Sequence, residues 1–270
     1  MYVCNNLLLH LYNIRIHRRG LKYDKVYIWK FGKDFMKIDN SLLTVNYGIV
    51  SDLGHPENLE AAVQKFKDIN GSGRGVNAIL VLGSMERDFD KMMNSCDILE
   101  KSEVRTYLDD SSINEDSSWA IKKHNPNLKF VNQKDRIIMG EDHQIIFVNR
   151  YDKNEKNRYA IRNMLGRVND PLRTIIASHR PVYPANGNPK EGSLAYALEQ
   201  KGVRKFVSAS SQHPFYINKN GNARDTAGKE VCQREKTRDI VYDAGNLGSR
   251  KFGILSVYAD GLTSYNSLKD

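Results

Sequence analysis

Five stretches of this chain place a carboxylate, a histidine or a glycine-serine pair at the end of a short apolar run. Asp52 comes just after VNYGIV, with His55 three residues further on, and Gly83-Ser84 follow AILVL. Asp109 and Asp110 close EVRTYL, His179 and Arg180 follow RTIIAS, and Ser210-Ser211-Gln212-His213 follow RKFVSA. Carboxylates and imidazoles are the donors that hold iron, zinc or manganese, and a guanidinium grips a phosphate through two parallel N–H groups. Singly, each has an ordinary structural reading: a strand-end histidine is commonly a hydrogen-bonded structural residue, and Arg180 serves equally as a surface ion pair. The repetition at successive strand ends favours the chemical reading, because loops at the carboxyl ends of an open α/β sheet converge on ligands.

The elements that must position these residues follow from periodicity. VNYGIV at 45–50 reads as a buried strand. Pro56 opens a helix with Leu59, Val63, Phe66 and Ile69 on one face, and VNAILVL at 76–82 is the next strand. Phe89, Met92, Cys96 and Leu99 mark a second helix. EVRTYL at 103–108 is a third strand, followed by the polar run DDSSINEDSS. RIIM and QIIFV form a hairpin around Gly140, Glu141 and Asp142. A helix through Ile161, Met164, Leu165 and Val168 leads to the strand 173–178. Another, with Leu194, Ala197 and Leu198, ends at Gly202, and 204–209 is again a strand. HPFYIN, DIVYDA, FGILSVYA and LTSYN then give a tail of strands and turns. This order implies a largely parallel sheet covered by helices, with antiparallel strands added late. Residues 1–44 lack clear periodicity and are expected to form an N-terminal extension or edge segment, with 45–270 a single domain.

SDLG at 51–54 followed by ILVLGS at 79–84 resembles the GDxG and GDxxY motifs of purple acid phosphatases, within the calcineurin-like metallophosphoesterases. IASHRPVYPANG at 176–187 is similar to their VxxH loop, and FVSASSQHPFY at 206–216 to the loop carrying GHxH. IVYDAGNLGS and FGILSVYADGLTSY are similar to the terminal strands of that family, so the resemblance covers roughly residues 45–266 in order. It implies a four-layer αββα sandwich of two mixed β-sheets flanked by helices. It also implies a pair of metal ions sharing an aspartate and hydrolysing a phosphate ester. Such ions lower the pKa of a bound water and neutralise the phosphoryl oxygens.

Transferred position by position, the resemblance makes Asp52, His179 and His213 metal ligands, with Asp110 in place of the asparagine ligand. Serines stand elsewhere: Ser84 at the bridging aspartate, Ser111 at the assisting histidine and Ser211 at the histidine of the GH pair, while Arg87 replaces the tyrosine. A neutral serine cannot join two dications, so the two-metal centre is expected to be absent or severely weakened, with any single iron, zinc or manganese ion weakly held. His55 and Arg180 are the candidates to assist with the phosphate. For His55, capping of the first helix or simple exposure is the competing reading. Two functions remain open: a divergent phosphoesterase, or an inactive descendant binding an anionic ligand, nucleic acid or a protein.

Composition is compatible with both. The 270 residues carry a net charge of +9, which concentrates phosphates and nucleic acids near the surface without selecting among them. Cys4, Cys96 and Cys232 have neither an even count nor CxxC spacing, which argues against a disulfide framework or a zinc ribbon. No apolar run is long enough to span a membrane. At the start, MYVCNNLLLHLYNIRIHRR, the basic residues follow the apolar patch, the reverse of a secretory signal, so the expected location is cytoplasmic.

Overall fold

The computed structural model describes residues 12–14, 26–28, 30–31, 34–35, 44–68, 75–83, 88–109, 115–131, 137–139, 143–148, 157–183, 189–210, 215–217, 223–225, 232–237, 240–258 and 261–269. Within the first 44 residues, strands β1 (Tyr12–Ile14) and β2 (Val26–Ile28) pair with each other, as do β3 (Lys30–Phe31) and β4 (Asp34–Phe35). Neither ladder joins a larger sheet.

The alternating region follows: β5 (Thr44–Val50), α1 (Pro56–Lys67), β6 (Ala78–Val81), α2 (Phe89–Lys101), β7 (Thr106–Asp109), α3 (Glu115–His124) and β8 (Lys129–Val131). Next come β9 (Ile137–Met139), β10 (Gln144–Val148), α4 (Asn157–Arg167), β11 (Thr174–Ser178), α5 (Leu194–Gln200) and β12 (Lys205–Ser208). The chain closes with β13 (Phe215–Ile217), β14 (Ala223–Asp225), β15 (Cys232–Thr237), β16 (Ile240–Asp243), β17 (Lys251–Tyr258) and β18 (Thr263–Lys269).

These strands form two seven-stranded mixed sheets, ordered β15-β18-β17-β5-β6-β7-β8 and β14-β13-β16-β12-β11-β10-β9. In the first, β5 to β8 run parallel and β17 adds antiparallel beside β5. In the second, β10, β11, β12 and β16 are parallel.

Side chains alternate across a strand, and here both faces of both sheets are apolar. Tyr47, Ile49 and Leu80 of the first sheet pack with Phe147, Ile175 and Tyr242 of the second. On its other face the first sheet presents Val50, Ile79 and Leu108 to Leu59, Phe66, Met92 and Ile121 of α1, α2 and α3. The second presents Ile146, Ile176 and Phe206 to Met164 and Leu198 of α4 and α5. The result is the four-layer αββα sandwich. No helix among the described residues is long and apolar enough to cross a membrane.

Candidate metal centre at the carboxyl ends of the strands

Parallel strands in both sheets deliver their carboxyl ends to one rim, and backbone bonds lock the loops there. The Leu82 N–H donates to Val50 O at 2.9 Å, Leu247 N–H to Ser51 O at 3.1 Å, Ala209 N–H to His179 O at 3.3 Å and Ala244 N–H to Ser208 O at 2.8 Å. Side chains add further ties. Ser95 Oγ of α2 donates to Leu53 O at 2.6 Å, and Asn58 Nδ2 of α1 donates to Leu247 O at 2.7 Å.

Asp52 stands just past β5 with φ of 66°, a left-handed conformation. For a residue with a Cβ this costs about 1–2 kcal/mol, so the surroundings hold it there. His55 is the residue before Pro56, yet its side chain makes no capping bond to α1. Of the competing readings for this residue, capping does not apply, while exposure does, its side chain being 39% exposed. Its Nε2 instead lies 3.8 Å from Asp52 Oδ2 and its Nδ1 3.5 Å from Glu57 Oε1.

His179 projects from the second sheet, immediately after β11. Its Nδ1 lies 2.9 Å from Leu82 O. A carbonyl only accepts, so Nδ1 carries the proton and neutral His179 presents Nε2 as a lone pair, the usual arrangement of a metal-ligating histidine. The contact depends on Gly83, whose φ is +65° and where an added Cβ would stand 2.5 Å from His179 Cβ. Leu82 thus joins the two sheets at this rim, bonding Val50 through its N–H and His179 through its carbonyl.

Arg180 is exposed and makes no ion pair with a described residue. Asp110 and His213, like Ser84, Arg87, Ser111 and Ser211, lie outside the described residues.

No protein-family model matches this chain, and no curated protein matches it. Among solved structures it is similar to GAP50, the anchor in the inner membrane complex of Plasmodium, with a TM-score of 0.47 and 14% identity over 82% of this chain and 84% of that one.

The loop after β16 adds residues that the sequence reading did not place in the site. Asn246 Oδ1 accepts from Ser249 N–H at 2.9 Å, and its Nδ2 donates to Ser210 O at 3.3 Å. An added Cβ on Gly248 would lie 2.7 Å from Asp52 Oδ2, 3.1 Å from His55 Nε2 and 3.4 Å from Asn246 Oδ1. Beneath this loop, fully buried Asp243 accepts from Ser208 Oγ at 2.7 Å, Gly245 N–H at 2.9 Å and Ser210 N–H at 3.4 Å. Its carboxylate therefore pins together the loops after β12 and β16. The available signal was DAGNLGS itself, a glycine-rich loop directly after an apolar strand. The strand before it stands among hairpin-like segments, which hides its parallel pairing with β12.

At the position that the resemblance gives to the shared carboxylate the sequence has Ser84, a neutral residue. Among the described residues no three His, Cys, Asp or Glu side chains gather closely enough to hold a metal ion. Asp52, His55 and Asn246 crowd the Cα of Gly248, so their side chains share one corner of the rim. Ser51 Oγ, fully buried beside Asp52 in sequence, has no hydrogen-bond partner among the described residues. A buried polar atom of that kind commonly marks a place where a ligand or water completes the structure.

Proposed function

We propose that this chain is a divergent metallophosphoesterase of the calcineurin-like, purple acid phosphatase type, hydrolysing a phosphate ester with one metal ion in place of two. The observation that carries this reading is the linkage through Leu82, which sets Asp52 of one sheet and His179 of the other on a common rim. The motif order SDLG, VLGS, ASHRPVY and SSQHP supports it independently. A bound divalent ion would supply a water of lowered pKa and charge for the phosphoryl oxygens. Asp52 contributes the negative charge that such an ion needs, and His179 offers Nε2 while Leu82 fixes its ring. Arg180, exposed beside His179 and without an ion pair to a described residue, would grip a phosphate oxygen through its paired N–H groups.

The test is hydrolysis of 4-nitrophenyl phosphate with added manganese or zinc, with metal content measured on the same protein. Metal-dependent turnover is expected, abolished by a chelator and reduced about 100-fold or more in His179→Ala, since loss of even an outer-shell partner commonly costs 10–100-fold. No turnover with any metal overturns the reading.

One observation favours a second function, binding of an anionic partner without catalysis. Trp119 of α3 is 65% exposed, Lys123 lies 5.0 Å from its ring centroid, and Lys122 and Lys129 are also exposed nearby in the sequence. A basic surface carrying an aromatic face suits a polyanion such as single-stranded nucleic acid. Binding that weakens steeply with salt and with Trp119→Ala, alongside absent turnover, would select this alternative.

A further inference from the structure

We infer that two copies of this chain associate through α3, with the two helices antiparallel and Trp119 of each at the two-fold axis. The inference goes beyond the proposed function and does not rest on it, because α3 belongs to the helical layer covering the first sheet.

The first argument is the tryptophan. α3 turns Ser118 and Ile121 inward and leaves Trp119 65% exposed, more than Phe89 or Leu172. A side chain of this size offers a large apolar area, and tryptophan is enriched at protein interfaces and their hot spots.

The second argument is the order of charge around it. Glu115 and Asp116 stand four and three residues before Trp119, and Lys122 and Lys123 three and four residues after it. Positions three and four apart share a face of a helix, and all four charged residues are exposed. The face is thus symmetric in spacing and opposite in sign about residue 119. In an isologous pair, residue i meets j and j meets i. An antiparallel pair with its axis at Trp119 therefore sets Glu115 against Lys123 and Asp116 against Lys122, each contact made twice.

Within one copy these charges do not reach each other. They are six to eight residues apart, about 9–12 Å along the helix, and neither Glu115 nor Asp116 has an ion pair with a described residue. Acid early and base late also suit the dipole of α3 itself. That accounts for where the charges fall along the axis, but not for a tryptophan kept exposed between them. Lys123 lies 5.0 Å from its ring centroid, so charge and aromatic surface form one patch. The two carboxylates on this patch repel a polyanion, whereas a second copy satisfies both signs. With only ten residues in α3, the interface falls in the small, transient class.

The test is sedimentation equilibrium on the full chain. Wild type is expected to dimerise with a dissociation constant of roughly 10 μM, and Trp119→Ala should weaken this about tenfold or more. Lys122→Glu with Lys123→Glu makes the face wholly acidic, and Glu115→Lys with Asp116→Lys makes it wholly basic. Each of these variants alone should stay monomeric, since like charges then meet across the axis. Mixed in equal amounts they should form a dimer of one copy each, a recovery that misfolded chains cannot give. Wild type monomeric at about 1 mM, far above that constant, overturns the inference. So does a dimer that every variant retains, or a mixture that stays monomeric. A monomeric wild type that binds a single-stranded oligonucleotide through Trp119, with steep weakening by salt, also overturns it and assigns the face to a polyanion.

Discussion

Replacing Gly253 by alanine is expected to destabilise the protein by about 3 kcal/mol, at the upper end of the range for overpacking a core. Gly253 lies in β17 of the first sheet, and an added Cβ there would run into the Tyr242 hydroxyl of β16 in the second. Tyr242 has little room to retreat. It is 1% exposed and stacks on Tyr265 with ring centroids 4.2 Å apart. The measurement is denaturant unfolding, where the midpoint should fall with the slope unchanged. A loss of this size corresponds to roughly 6–12 °C in melting temperature for a domain somewhat smaller than this one. Tyr242→Phe in the same chain removes the colliding oxygen and should recover part of the loss, giving a coupling energy of opposite sign to the single effects. An alanine variant as stable as wild type would show that the two sheets do not approach as described.

Acid should destabilise the protein through one histidine, by roughly 3 kcal/mol over the full transition. His143 is buried, with its Nε2 2.6 Å from the Tyr47 hydroxyl and its ring edge-on to Tyr47, so the pair spans the two sheets. Burial, reinforced by the positive charges of Lys205 and Arg173, pushes its pKa down from 6.5 to about 4. Between those values the unfolded chain takes up a proton that the folded chain refuses. The stabilisation is therefore complete above about pH 6.5 and is lost progressively as pH falls from there to about 4. His143→Gln keeps a side-chain acceptor near Tyr47 but does not titrate. Unfolding free energies from pH 7 to pH 4 should fall more steeply in wild type than in this variant, and parallel curves would contradict the assignment.

The parts of this fold legible in the sequence are those where burial imposes a period. The apolar spacing in α1 and α2 and the apolar runs of β5, β6, β10 and β11 identify both element type and order, because each fills a closed layer. The strand β8 and helix α3 are not legible in the sequence, since α3 buries only Ser118 and Ile121 and leaves Trp119 exposed. With so narrow a buried face, its sequence reads as a polar loop. Strands β14 and β15 likewise carry ARD and CQREKT, without an apolar stripe.

The direction of β16 was the more consequential gap. DIVYDA stands among hairpin-like strands, yet it pairs in parallel with β12. Local sequence reports that a strand exists but not which neighbour it takes, and that choice is made by tertiary packing. Once β16 runs parallel, its following loop reaches the same rim as the loop after β5, and Asn246 and Gly248 come beside Asp52. The places of Asp52, His55 and His179 at strand ends are legible because each follows a strand that the sequence marks clearly.

The loops after β5 and β16 meet through the Leu247 N–H and Ser51 O, and β5 itself is held in its sheet by β17, which is later still. Chains are synthesised from the amino terminus, and domains generally form as their segments emerge. A nascent chain that has released everything through β15 already displays Asp52, His55 and His179, yet it has neither Asn246 nor the strand that fixes β5. Closure of the rim is therefore deferred to the last stage of translation. Any premature termination after β15 would yield a polypeptide whose first sheet lacks β17 and whose rim lacks the loop after β16.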